Sequence, residues 1–244
     1  MGTIEAVVFD WGGTLSLFAD VDVADMWRLA ASHLASQHSD GSGVAALEAD
    51  LFERMVAVEQ ASWDRIEVDQ STTTLSALIA EASTALGLDV GEALLEEAGT
   101  HYLDAWATHI RHDPDCVPVL AALRAQGLRL GLLSNTHWPR AFHDHFLERD
   151  GILPLLDARL YTCEMERSKP HHSAFRAVLD ALGVEDPTHA VFVGDRPYDD
   201  IAGAQGLGMK AVHRPNHLVP DHDVIPDATI TALPELLEIV ASWA

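Results

Sequence analysis

Residues 4–14, IEAVVFDWGGT, decide how this chain is read. The β-branched and aromatic run at 4–9 has the character of a buried strand, and it ends in Asp10 and a Gly-Gly turn. Such a strand delivers a carboxylate to its C-terminal end. The glycines behind it let backbone N–H groups gather around a ligand's oxygens. Runs of the same character recur at 128–134 (LRLGLLS), 190–194 (AVFVG) and 209–213 (MKAVH). Helical patterns at 117–127, 172–183 and 199–208 lie between them, with Gly127, Gly183 and Gly208 where helix C-caps are expected. Strands alternating with helices predict right-handed crossovers and a parallel sheet.

The stretch from 17 to 112 is different. It is rich in Ala, Leu and Glu at helical spacing, and breaks at 39–43 (SDGSG) and 87–91 (GLDVG) predict three or four helices. Lying between the first and second core strands, it is expected to form a helical cap above the sheet edge where open α/β sheets bind ligands. The predicted domains are therefore an α/β core of residues 1–16 and 113–244 and a cap of residues 17–112. Residues 214–227, punctuated by Pro, read as a surface loop before a last short strand and helix.

Composition narrows the function. The formal net charge of the 244 residues is -23, with 15 Lys plus Arg against 38 Asp plus Glu. That field disfavours nucleic acid and anionic membranes as partners. No apolar run approaches the roughly 20 residues of a membrane span, and the N-terminus lacks the basic region of a secretory signal, so a cytoplasmic protein is expected. Cys116 and Cys163 have neither metal-ligand spacing nor a disulfide framework. An anionic substrate needs local positive charge, and the chain has two lysines, Lys169 and Lys210.

Four features follow strands in the order one site would need. They are Asp10-Trp11-Gly12-Gly13-Thr14, Ser134-Asn135-Thr136, Lys169-Pro170, and Gly194-Asp195 with Asp199 and Asp200. Alone, each has an ordinary reading: a turn, a helix cap, an uninformative lysine, a solvated acidic run. Together they place complementary groups at one sheet edge.

These motifs resemble the haloacid dehalogenase superfamily along the whole chain. VVFDWGGTL, LLSNT, SKP and VFVGDRPYDD resemble its four motifs, and residues 17–112 its first type of helical cap. The resemblance implies a Rossmann-like core and a phosphohydrolase in which Asp10 attacks phosphorus and becomes an aspartyl-phosphate. It implies Mg²⁺ held by Asp10, the Gly12 carbonyl, Asp195 and Asp199 or Asp200. It also implies that Ser134 and Lys169 hold the phosphoryl oxygens, with Gly12, Gly13, Thr14 and Asn135 alongside in binding a small phosphorylated substrate.

One residue departs from the pattern. Phosphatases of the superfamily carry Asp two residues after the nucleophile, where it works as general acid and base; here Gly12 stands there. Losing such a group costs about 10²–10⁴-fold. The dehalogenase branch carries Tyr there, and the phosphonate-cleaving branch needs a cap lysine, whereas residues 1–168 contain none. Both branches are thereby disfavoured, and three readings stand ahead of them: a phosphatase for activated leaving groups, a phosphatase with a substitute acid, or a reduced member that binds without turnover. His137, next to Ser134-Asn135-Thr136, is the candidate acid, with Asp20 and Asp22 of the cap as others. His143/His145 and His171/His172 invite a metal reading or a solvated one. Trp27, Trp63 and Trp106 suit either a pocket or helical packing.

Overall fold

The computed structural model describes residues 3–17, 21–39, 41, 43–220 and 222–243; Asp20 lies outside them. The chain divides into two compact units, one of Met1–Phe18, Arg111–Thr136 and Arg140–Ala244, the other of Ala19–Ile110 with His137–Pro139.

The first unit is built on a six-stranded, all-parallel sheet. Its strands are β1 (Ala6–Phe9), β2 (Arg129–Ser134), β3 (Ala158–Tyr161), β4 (Ala190–Gly194), β5 (Lys210–His213) and β6 (Ala228–Thr229), in the order β3-β2-β1-β4-β5-β6. β1 lies between β2 and β4 and is buried along its whole length. This explains its unbroken apolar run, since a central parallel strand is covered on both faces. The nucleophile candidate thus leaves the sheet at its middle.

The helices of this unit are α5 (Cys116–Ala125), α6 (Arg140–Arg149), α7 (His172–Leu182), α8 (Gly203–Leu207) and α9 (Glu235–Trp243). Ala174, Phe175, Val178, Leu179 and Leu182 form one stripe of α7 and pack with Val8, Leu133 and Phe192 of the sheet. Each of Phe175, Val178, Leu179 and Leu182, buried, contributes about 1.5–3 kcal/mol. Gly183, at φ 70°, ends α7 in the left-handed conformation expected of a C-cap.

Two features differ from the sequence expectation. β3 was not anticipated: it is four residues long, an edge strand with Arg159 and Leu160 only half-buried, so it carries no apolar run. The helix expected over 199–208 opens as a wide π-type turn, Pro197–Ala202, before α8 begins. The Arg196 carbonyl there accepts from both Asp200 N–H (2.9 Å) and Ile201 N–H (3.3 Å). Wide turns of this kind are frequent at functional sites.

The second unit contains α1 (Arg28–His38), α2 (Val44–Asp69), α3 (Leu75–Ala85) and α4 (Glu92–Ala107), preceded by a short 3₁₀ turn at Val23–Trp27. Its core includes Trp27, Leu34, Leu51, Met55, Leu78, Ile79 and Tyr102. Trp27 is therefore a packing residue. Among the described residues no helix is long and apolar enough to cross a membrane.

Candidate active site

The site is built from the C-terminal ends of β1 and β4 and the loop that precedes α7. Asp10 follows β1, and its N–H donates to the Val193 carbonyl at 2.9 Å, so the carboxylate starts from a fixed backbone. Lys169 Nζ donates to Asp10 Oδ1 and to Asp200 Oδ1, both at 2.7 Å, and all three side chains are buried. Asp200 Oδ2 accepts from Arg196 N–H at 2.9 Å, which folds the aspartate back over Gly194. A Cβ on Gly194 would lie 2.3 Å from Asp200 Oδ2, so this position must lack a side chain.

Asp195 completes the group. Its Oδ2 accepts from Asn216 Nδ2 at 3.1 Å, while its buried Oδ1 has no hydrogen-bond partner. Asp10, Asp195 and Asp200 present carboxylate oxygens within 4.8 Å of one another, an arrangement able to hold a metal ion. Burial raises Asp10 above the ordinary carboxylate range, with Lys169 opposing and Asp200 adding to the rise. Burial also raises Asp195, reinforced by the charges of Asp10 and Asp200. For Lys169 burial pulls the other way, yet Asp10 and Asp200 outweigh it and hold the ammonium above its usual pKa.

The charge balance tests the fit of a divalent cation. Asp10, Asp195, Asp199 and Asp200 are four carboxylates, and Lys169 and Arg196 are the two cations interacting with them. An added 2+ charge would close the balance. The orphaned Asp195 Oδ1 is the kind of hard oxygen donor that Mg²⁺ prefers.

A scan against family models matches residues 4–208 to the haloacid dehalogenase-like hydrolase family. The chain belongs to that family. Among curated relatives it is 30% identical to a glyceraldehyde 3-phosphate phosphatase from Methanopyrus kandleri, over 65% of this chain and 69% of the relative. It is 32% identical to a phosphoglycolate phosphatase from Rhodospirillum rubrum, over 55% of this chain but only 58% of the relative. Among solved structures it is similar to a 2-haloacid dehalogenase from Pseudomonas syringae, with TM-score 0.71, 27% identity, and 99% and 100% of the two chains covered. This haloacid dehalogenase-like chain is thus a hydrolase, with the parallel sheet and inserted helices of its family.

The other residues singled out in the sequence fall in several places. Ser134 ends β2, buried, in register with Tyr161 of β3. Asn135, expected on the substrate, has its amide engaged by the Lys169 backbone, with Nδ2 donating to Lys169 O and Oδ1 accepting from Lys169 N–H, each at 2.9 Å. Both bonds tie the Lys169 backbone to the end of β2. Gly13, expected to offer its N–H to a ligand, donates it to Ser16 O at 2.7 Å inside the turn, with φ 76°. Thr14 is fully buried with no partner for its hydroxyl, and its carbonyl accepts from Arg214 Nη1 at 2.5 Å. Gly12 has open space, for a Cβ there would meet nothing within 4 Å.

His137, three residues past the end of β2, is grouped with the helical unit. It is buried, with Nε2 3.3 Å from Glu59 Oε1 and rings of Trp63, Tyr102 and Trp138 around it. Burial pushes its pKa down to about 4, which disfavours the imidazolium form a general acid would need at neutral pH. Glu59 also accepts from Trp27 Nε1 (2.7 Å) and Tyr102 Oη (3.2 Å). Asp22 accepts from Ala24 N–H and caps its 3₁₀ turn. His143 is buried and stacked on Tyr161, and His171 caps α7. Among the described residues the one group of His, Cys, Asp and Glu able to hold a metal is Asp10-Asp195-Asp200. Arg196, Arg214 and Asn216 escaped the sequence reading, since single polar residues in loops carry no periodicity.

Proposed function

We propose that this hydrolase cleaves a small phosphomonoester through Asp10. The observation that carries the reading is the buried lysine between two aspartates, Asp10-Lys169-Asp200, with Asp195 alongside. Lys169 engages one oxygen of Asp10 and leaves the other to attack phosphorus. The P–O bond to the leaving alcohol breaks as the acyl-phosphate forms, and water then attacks phosphorus and releases phosphate and the Asp10 carboxylate. Lys169 and Ser134 would face the transferring oxygens. Mg²⁺, held by Asp10, Asp195, Asp200 and the Gly12 carbonyl, would neutralise phosphate charge when bound. Relatives named for glyceraldehyde 3-phosphate and phosphoglycolate support a small phosphorylated metabolite as substrate.

Gly12 sets the leaving group. With no acid two residues past the nucleophile, the departing oxygen leaves without a proton from that position, so aryl or otherwise activated phosphates turn over best. The test compares aryl and alkyl phosphates with Mg²⁺ in wild type, Asp10→Asn and Gly12→Asp. Asp10→Asn should abolish turnover of both. Gly12→Asp, whose Cβ has room, should raise alkyl phosphate turnover by about 10²-fold and aryl turnover far less. Equal gains would sink this account of Gly12. Wild-type activity that survives in Asp10→Asn would sink the nucleophile. Chloride release from 2-chloropropionate with no phosphatase activity would move the reading to the dehalogenase of similar structure.

A further inference from the structure

We infer that Asn216 is a positioning residue of the metal site, aiming the free oxygen of Asp195, and that His213–Asn216 is the arm that carries it. The inference rests on the metal reading above and extends it to a segment that no motif marks.

Asp195 has two carboxylate oxygens in unlike surroundings. Oδ2 accepts from Asn216 Nδ2 at 3.1 Å; Oδ1 is buried and has no hydrogen bond. A carboxylate held at one oxygen cannot spin about its own axis, so the Asn216 bond decides which oxygen meets Asp10 and Asp200. Without it, either oxygen could turn toward the cation or toward the backbone, and the site would have to be ordered anew at each binding event.

Asn216 is itself held. Its Oδ1 accepts from Leu218 N–H at 3.0 Å, and its carbonyl accepts from Val219 N–H at 3.0 Å, an Asx-type turn that fixes the amide. The arm is tied to the sheet upstream. Arg214 N–H donates to Gly194 O at 2.9 Å, and His213 Nε2 lies 3.1 Å from the Asp195 carbonyl. The Arg214 guanidinium donates to the Thr14 carbonyl and to the Asp113 carboxylate. One short segment therefore grips Asp195 at its carbonyl and its carboxylate, and grips the turn that follows Asp10. A solvated loop has no reason to make all these bonds. A loop that sets the distance between two ligands of one cation does.

The experiment measures Mn²⁺ binding by electron paramagnetic resonance, which needs no turnover, in wild type, Asn216→Leu and Asp195→Asn. Partners that orient metal ligands typically cost about 10–100-fold in affinity when removed. Asn216→Leu should therefore raise the Mn²⁺ Kd at least about tenfold. Its metal-free melting temperature should stay near that of wild type, and kcat should recover at high Mg²⁺. A Kd within twofold of wild type in folded Asn216→Leu overturns the assignment. A Kd that rises only in step with a lost melting transition overturns it too, because the role is then structural. Should leucine prevent folding, Asn216→Ala at this half-exposed position gives the same readings. Asp195→Asn separates the two levels. If it binds Mn²⁺ as wild type does, the metal site itself is wrong; if it loses Mn²⁺ while Asn216→Leu does not, only the positioning role falls.

Discussion

Lys169 shows how one buried charge organises a site. It reaches two carboxylates at 2.7 Å with almost no exposure, and an ammonium there is tolerable only because both partners are present. His137 is the opposite case, a buried base with a folded pKa lowered from 6.5 to about 4. A depressed pKa means that unfolded chains bind more protons between these values. The stability from a neutral His137 is complete above pH 6.5 and is lost as pH falls toward 4. The effect reaches roughly 3 kcal/mol at the acid end. Glu59, raised by burial, acts in the opposite sense. Urea midpoints at pH 7.5 and pH 5 should therefore converge in His137→Gln relative to wild type; an unchanged gap would show that His137 does not carry the acid sensitivity. Asp10 and Asp195 were visible in the sequence because strand ends deliver them, and Lys169 and Asp200 because they fall in motifs ordered with those strands. The packing of His137 was not legible, because its neighbours in sequence belong to one unit and its packing partners to another.

At the level of elements, the turn after β4 is the tightest part of the site. Gly194 lets Asp200 fold back within reach of Lys169 and of the Arg196 N–H. Gly194→Ala would push Asp200 outward, and overpacking of this kind costs about 1–3 kcal/mol. Losing Asp200 from its place should also lower turnover by about 100-fold. Denaturation midpoints and aryl phosphate rates measure the two effects, and an alanine variant with normal rate would contradict the close-packed turn. The strands β1, β2, β4 and β5 were legible because each has a buried apolar run at its centre. β3 was not, because an edge strand of four residues with a half-buried middle looks like any polar loop. The π-type turn was hidden too, for Asp200 accepts there from the Arg196 N–H, a local bond that no pattern of hydrophobicity announces.

At the level of the whole molecule, charge is the dominant fact. A net charge of -23 repels a phosphorylated substrate before it meets Lys169. Raising ionic strength from about 0.01 to about 0.15 M shortens the Debye length from about 30 to about 8 Å. At fixed free Mg²⁺, kcat/KM for an anionic ester should then rise about threefold or more. A fall would mean that the site's own cations set the approach. Where the chain leaves the sheet unit after β1 and returns before α5, the two segments pair with each other. Leu17 N–H donates to the Arg111 carbonyl at 2.8 Å, and Ser16 bridges His112 in antiparallel fashion. The ends of the helical insert are thus already stitched together inside the sheet unit. An insert spliced between them starts from closed ends, and lengthening it costs closure entropy only slowly, about 0.6 kcal/mol per doubling. Such a cassette can be lengthened, trimmed or exchanged while Asp10 keeps its address.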